Sequence, residues 1–412
     1  MQKISFIKDK NMATIIRQSY IDKIEKYLGK ETIIVLVGQR RVGKSCMMKM
    51  IRNRKKADDG NNIIYIDKEK REFDNIQTYQ DLNDYIGEHF LSDKHNYILI
   101  DEIQDIKDFE RSIRSYRTEP NTDIIITGSN ARMLSNELST LIGGRYKEIY
   151  IQSLSYNEFL EFHQLSDNDE ALALYIQYGG LPGLAKIGLE EDDAREYQMD
   201  IYHTVLLKDV IMRNQIRNVP FLENLVRFLA DNTGKLISAN SIAKYMKSQG
   251  ESITSTAIIN YISFLCEAYI LHKVNRYDIH GKRIFETNDK FYFEDNGIRN
   301  AIAGGTREGD IEKVIENIIY QNLIRLGYQV YVGQLQAGEI DFVCTKPGGE
   351  RIYVQASYII ADDATREREF GNLRAIKDNY PKYVISMTPL LTKNDNDGIT
   401  HLHLRKFLTE GI

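Results

Sequence analysis

No two cysteines in this 412-residue chain are spaced to clasp a metal or close a small disulfide loop. Cys46, Cys266 and Cys344 stand far apart with no Cys-x-x-Cys pair, which excludes a disulfide framework and a zinc site and fits a reducing cytosol. The sequence also lacks any apolar run of roughly 18 residues, and its opening, "MQKISFIKDKNM", has no apolar core of a signal peptide. The expectation is a cytoplasmic protein without membrane contact. Charge of one sign is not in strong excess either. A net charge of −5 argues against coating nucleic acid through bulk charge, although a local basic face stays compatible with it. What is present is ordinary for a globular chain: 42% hydrophobic residues are enough for sizeable cores. At about 100–200 residues per domain, the length suggests about two to four domains.

The first of these announces itself at residues 32–38, "TIIVLVG", a β-branched run suited to a buried parallel strand. "GQRRVGKS" follows, then "CMMKMIRNRKK" with helical spacing. Strand, Gly-x-x-x-x-Gly-Lys-Ser, helix is the context a phosphate-binding loop requires. Gly38 and Gly43 let the backbone curl so that successive N–H groups face a phosphate. Gln39, Arg40, Arg41, Val42 and Cys46 complete the loop, Lys44 would reach the β- and γ-phosphates of ATP, and Ser45 would hold Mg²⁺. "YILIDEIQDI" at 97–106 is an apolar strand ending in Asp101 and Glu102. An aspartate there would hold the Mg²⁺ water shell, and Glu102 would polarise the attacking water. A third strand, "DIIITGSN", ends in Thr127, Ser129 and Asn130, placed either to sense the γ-phosphate or to cap a turn. Strands alternating with helical segments imply a parallel sheet covered on both faces.

"VGQRRVGKS", "ILIDEIQ", "IITGSN" and "GGRYKEIYIQSLSYNEFL", continued by "GGLPG", "KFYFEDNGIRNAI" and "EIDFV", resemble the bacterial and archaeal AAA-type P-loop ATPases with a C-terminal restriction-endonuclease-like domain of unknown function. The resemblance spans nearly the whole chain. It implies an arginine finger or sensor at Arg145 and a contact of Pro182 with adenine. Arg17 and Tyr20, in "IIRQSYIDKI", would then touch the base or ribose. A surface ion pair at Arg145 and a helix-ending Gly before Pro182 would explain the same letters without a ligand.

Beyond the first core, residues 155–219 have mostly helical spacing and read as a lid, with Lys208, Asp209 and Arg213 on a salt-linked helix face. Residues 220–305 show three helical segments and two strands, "HKVNRYD" and "RIFETNDKFYF", around "IHGK", the order of a winged helix. Its third helix, within 254–271, carries no Lys or Arg and does carry Glu267, so it is poorly equipped to read DNA. A wing with Lys273, Arg276, Lys282 and Arg283 would still touch phosphates, and docking of a protein or domain is favoured slightly over DNA reading. "GIRNAIAGGTREGD" reads as a flexible joint.

The last region, 306–412, gives a helix, three strands, a helix and a strand, the order of a restriction-endonuclease-like core. By that resemblance Glu316, Glu339, Asp341 and Gln355 match the acidic positions of a nuclease. Glu339 and Asp341 are two apart on a strand and share one face, as a metal pair must. The pattern departs where a lysine belongs: position 357 is Ser357, which supplies no positive charge to a phosphorane-like transition state. Arg366 or Arg368 would have to substitute. Two buried acids without a metal are expensive, so they bind something or pair with a base.

The sequence thus describes a multidomain α/β chain: a P-loop AAA-type ATPase core at 1–154, a helical lid at 155–219, a winged helix at 220–305 and a nuclease-like domain at 306–412. The function expected is Mg²⁺-dependent ATP hydrolysis coupled to the attached domains, with DNA or a protein as partner and oligomers allowed. The alternatives are an ATP-regulated metal-dependent DNA nuclease and a nucleotide-binding scaffold with little turnover.

Overall fold

A computed structural model describes residues 7–9, 12–131, 144–251, 253–279, 281, 283–284, 288–305, 308–335, 338–389, 395–396 and 398–412. The chain divides into two compact units, 1–152 with 267–269, and 153–266 with 270–412.

In the first unit, the β-branched runs form a five-stranded sheet. Its strands are β1 (Ile33–Val37), β2 (Asn61–Asp67), β3 (His95–Asp101), β4 (Thr122–Gly128) and β5 (Tyr146–Tyr150). Their order is β2-β3-β4-β1-β5 and every pairing is parallel. Parallel strands need helical crossovers on both faces, and the sequence alternation supplies two apolar surfaces. Ile33, Val35 and Val37 face a cluster with Ile100 and Ile126, while Ile34 and Leu36 face another with Met47, Met48 and Ile51 of helix α1 (Lys44–Lys56). Because all strands run the same way, the loops at their carboxyl ends gather along one edge.

The second unit holds the regions expected as lid, winged helix and nuclease-like domain, so the expected divisions at 219/220 and 305/306 fall inside it. Helices α2 (Tyr156–His163) and α3 (Asp169–Tyr178) share an apolar cluster with α4 (Ile311–Arg325): Phe159, Leu172 and Tyr175 lie with Ile315, Ile318 and Phe342. Residues 156–178 of the expected lid thus share an apolar core with α4. The expected helices of 220–271 form at Val219–Asp231, Ala239–Ser248 and Ser255–Glu267. The expected hairpin splits instead. Its first strand breaks at Asn275 into β6 (Leu271–Val274) and β7 (Arg276–Asp278). β6 pairs with β9 (Lys290–Phe293), whereas β7 pairs with β8 (Arg283–Ile284) and joins an eight-stranded sheet. Of the expected wing cations, Lys273 is bridged to Asp289 at 3.1 Å, and Lys282 lies outside the described residues.

That sheet continues through β10 (Gln329–Gln334), β11 (Glu339–Thr345), β12 (Arg351–Ala356) and β13 (Lys382–Ser386), with helix α5 (Asp363–Ala375) packing Phe370 and Leu373 against Tyr353 and Val384. The first half of the stretch read as a flexible joint, 297–303, lies in a helix over Asn296–Ala303 whose eight residues are all buried, while 306–307 of that stretch lie outside the described residues. Its polar letters look like a loop because their partners are distant backbone groups. Arg299 donates to the Ala230 carbonyl at 2.9 Å and Asn300 to the Ile176 and Gln177 carbonyls at 3.0 and 2.9 Å. Asp295 accepts from the Gly180 N–H at 2.8 Å and caps its own helix through Ile298 at 3.1 Å. Burial lifts its carboxyl to about 6 despite those N–H groups.

Close backbone approach explains the paired glycines of "GGLPG". A Cβ on Gly180 would meet the Leu154 carbonyl oxygen at 2.4 Å and its nitrogen at 2.8 Å. Gly180→Ala should therefore lower the unfolding free energy by about 1–3 kcal/mol or more, measured by urea denaturation of the full chain.

Candidate functional site

The candidate site of the first unit forms where β1 hands over to α1. Gly38 is buried with φ +139°, and a Cβ there would meet the Ile151 carbonyl oxygen at 2.2 Å, so only glycine lets the loop pass. Gly43 caps α1 with φ +103° and no side-chain cap bond. The helix N-terminus therefore keeps its first N–H groups turned to the loop, where its dipole favours an anion. Lys44 is buried, and its ammonium donates to the Gly38 and Gln39 carbonyls at 2.8 and 2.9 Å. Arg40 is half-buried, while Arg41 and Cys46 are exposed.

The carboxyl edge of the sheet brings the acids to this loop. Asp101 closes β3 and stands in register with Asp67 at the end of β2. Thr127, from β4, ties the two expected acids together: its hydroxyl donates to Asp101 and accepts the Glu102 N–H at 2.9 Å. Burial raises the Asp101 carboxyl, opposed by hydrogen bonds from Thr127 and Ser45 and helped by Glu102 and Asp67. Glu102 is in the left-handed region at φ +55°, and its carboxylate accepts from Ser129 at 3.2 Å and from Gln104. Asn130 is fully buried at the same edge. Loop, Ser45, Asp101, Glu102 and Asn130 are thus brought together.

Other expectations change. Arg17 is buried; it donates to the Val42 and Gln152 carbonyls at 3.2 and 2.8 Å and lies over Tyr20 at 4.6 Å. The Tyr20 hydroxyl accepts the Gln152 N–H at 3.3 Å. Both residues thus have partners at the loop and beside it. Arg145 immediately precedes β5, its carbonyl accepting the Ile33 N–H at 3.1 Å, so it sits at the amino edge of the sheet. A five-residue strand separates the two edges by about 16 Å. Arg145 therefore does not reach the loop of its own chain; its guanidinium is exposed and 3.9 Å from Glu31. Pro182 belongs to the second unit, in the segment whose glycines pack on Leu154 and Asp295. Asp67 was missed, although "NNIIYID" ends an apolar run on an aspartate just as "YILID" does.

The second unit gathers the nuclease-like acids around a residue the sequence did not single out. Lys290, which opens β9, places its ammonium 2.9 Å from Glu316, 2.7 Å from Glu339 and 3.0 Å from Asp341. Tyr292 donates to the same Glu316 oxygen at 2.6 Å, and the second Asp341 oxygen accepts the Ala356 N–H at 3.0 Å. Gln355 turns away from this point: its carbonyl accepts the Asp341 N–H at 3.3 Å and its amide donates to Glu369 at 3.1 Å. Arg368 pairs with Glu369 at 2.7 Å and Arg366 lies over Phe370, so neither replaces the missing lysine at Ser357. Among the described residues, no group of three or more His, Cys, Asp or Glu is placed to hold a metal ion. The sequence carries no local signal for Lys290, because its partners lie on a later helix and a later strand.

Residues 30–160 match the family described as an AAA domain, and residues 169–309 match a domain of unknown function (DUF8612). An uncharacterized protein of Haemophilus influenzae is 33% identical over 406 residues, covering 97% of this chain and 99% of its own. An uncharacterized protein of Methanocaldococcus jannaschii is 26% identical over 371 residues, covering 86% of this chain and 81% of its own. Among solved structures, a Walker-type ATPase of Pyrococcus abyssi is 14% identical with a TM-score of 0.49, over 70% of this chain and 95% of that one. No described helix is long and apolar enough to cross a membrane.

The bridge through Thr127 gives a direct test. Thr127→Val keeps the shape but leaves the Glu102 N–H and an Asp101 oxygen without their partner, at about 1–3 kcal/mol for each buried group. Urea unfolding should show the loss, and Thr127→Ser should restore most of it.

Proposed function

We propose that this chain, which belongs to one family with the Haemophilus influenzae protein, is a Mg²⁺-dependent ATP-hydrolysing switch whose nucleotide state governs the regions beyond its AAA domain. The observation that carries this reading is the convergence of the Lys44 loop with Asp101 and Glu102 at one edge of the parallel sheet. The residues present fit a nucleotide with its metal. The Gln39 side-chain oxygen is buried at the loop without a hydrogen-bond partner, and Ser45, Asp101 and Thr127 offer the hard oxygen donors that Mg²⁺ prefers.

Each residue then has a role set by its chemistry. The loop N–H groups and the α1 terminus bind the phosphates, and Lys44 exchanges its two carbonyl partners for phosphate oxygens. Mg²⁺, held through Ser45 and Asp101, would neutralise phosphate charge. Glu102 takes the proton of the water that attacks the terminal phosphate, and Ser129 and Gln104 hold its carboxylate in place. Asn130 orients groups at the terminal phosphate. Arg145, exposed at the other edge, would serve the nucleotide of a neighbouring copy as an arginine finger.

Beyond the AAA domain, the three helices of 219–267 support a winged-helix reading, and the order of α4, β10, β11, β12, α5 and β13 supports a nuclease-like one. A protein or DNA partner would dock through these regions. The seated Lys290 weighs against metal-dependent cutting and in favour of a binding role.

ATP turnover and binding test the proposal together. Lys44→Ala should abolish ATP binding or nearly so, while Glu102→Gln should keep it and slow hydrolysis on the order of 100-fold or more. Undiminished turnover in Glu102→Gln removes that residue from the role of base. Binding without turnover in the wild-type chain supports the scaffold reading instead. If Arg145 acts across copies, mixing Arg145→Ala with Lys44→Ala protein should restore part of the activity, in proportion to concentration.

A further inference from the structure

Three carboxylates from two elements, Glu316 on α4 and Glu339 and Asp341 on β11, each place an oxygen 2.7–3.0 Å from one point, the Lys290 ammonium. A metal does not fit there, because the place is filled. The Lys290 ammonium has three N–H donors and three acceptor residues at 2.7–3.0 Å, and its side chain is only 3% exposed. Burial by itself would push this ammonium towards neutrality, but Glu316, Asp341 and Glu339 outweigh burial and hold it charged. The carboxylates have further partners, Tyr292 on Glu316 and the Ala356 N–H on Asp341.

Strand geometry explains why Lys290 is the residue that arrives. Side chains alternate along β9, so Lys290 and Tyr292 share one face and both reach Glu316. Pairing of β9 with β6 fixes that face, Lys290 opposite Val274 and Tyr292 opposite His272. A hard divalent cation would need oxygens at about 2.0–2.6 Å, the positions that the ammonium now occupies, and two cations so close repel strongly at a buried site.

We propose that Lys290 is the resident cation of this carboxylate site: its ammonium stands in for a divalent metal, fastens β9 to α4 and β11, and excludes metal while β9 is docked. The inference is independent of the ATPase reading, since no residue of the phosphate loop takes part. It makes this cluster a charge-closed joint between β9 on one side and α4 and β11 on the other. It also means that metal can enter only if β9 leaves.

Manganese binding by the nucleotide-free full chain, followed by electron paramagnetic resonance alongside thermal unfolding, tests this. The wild-type chain should hold no Mn²⁺ that Asp341→Asn removes. Lys290→Met should lose stability in EDTA, regain it with Mn²⁺, and bind the ion on the order of tenfold or more tightly than wild type. Since three unpaired acids can prevent folding, Lys290→Met/Glu316→Gln, with one acid neutralised, is the second variant. It should fold and take Mn²⁺ through Glu339 and Asp341, and adding Asp341→Asn should abolish that binding. Folding of either variant only when Mn²⁺ is supplied supports the proposal equally well. Asp341-dependent Mn²⁺ binding by the wild-type chain as tight as in the variants overturns it. So does a pair of variants that bind no Mn²⁺ or that Mn²⁺ does not restore, and so does Asp341-dependent cutting of DNA or RNA by the wild-type chain.

Discussion

A charge taken out of water must meet an opposite charge or a full set of hydrogen bonds, and this constraint shapes both units of the chain. Lys44 meets it with two loop carbonyls, Asp101 with Thr127 and Ser45, Asp295 with backbone N–H groups, and Lys290 with three carboxylates. Arg299, buried in a helix with no exposed residue, meets it with the Ala230 carbonyl and with Asp310 at 3.6 Å. In each case the charged side chain ties elements that apolar packing alone would let slide. These groups contribute definition of geometry more than net stability, because desolvation offsets much of the attraction.

The two charged sites differ in what their partners can give up. Lys44 is held by backbone carbonyls of its own glycine loop, neutral partners weaker than a charged oxygen. Its neighbours Ser45, Asp101 and Glu102 line one edge of a sheet whose parallel direction opens that edge to a ligand. Lys290 is held by three carboxyl groups delivered by a helix and a strand. The first arrangement leaves its partners open to exchange with a bound phosphate. The second has no partner that a ligand of one charge could replace without separating β9 from α4 and β11.

Much of the first unit was legible because its signals are local. The strand runs, the glycine loop and the Asp101-Glu102 ending are each contained in about ten residues, and parallel pairing then leaves one edge where they meet. Asp67 could have been found by the same pattern of an apolar strand ending in aspartate. The order of helices and strands in the C-terminal region was readable for the same reason, since periodicity of 3.6 or 2 is a local property.

Other features depended on partners remote in sequence. "GIRNAIA", the first half of the expected joint, has the letters of a loop, and contacts with Gly180, Ala230 and the end of α3 make it a buried helix. The wing strand breaks at Asn275 because β7 finds its partner in β10, beyond the helix α4. Arg145 stands just before β5, and which edge of the sheet it occupies follows from the parallel pairing of β5 with β1. The sequence by itself determined that Glu339 and Asp341 share a face and that such acids need a metal or a base, since alternation and desolvation are general rules. Only the tertiary structure decided between the two, because Lys290 reaches them across the chain, and no local pattern records which cation completes a site.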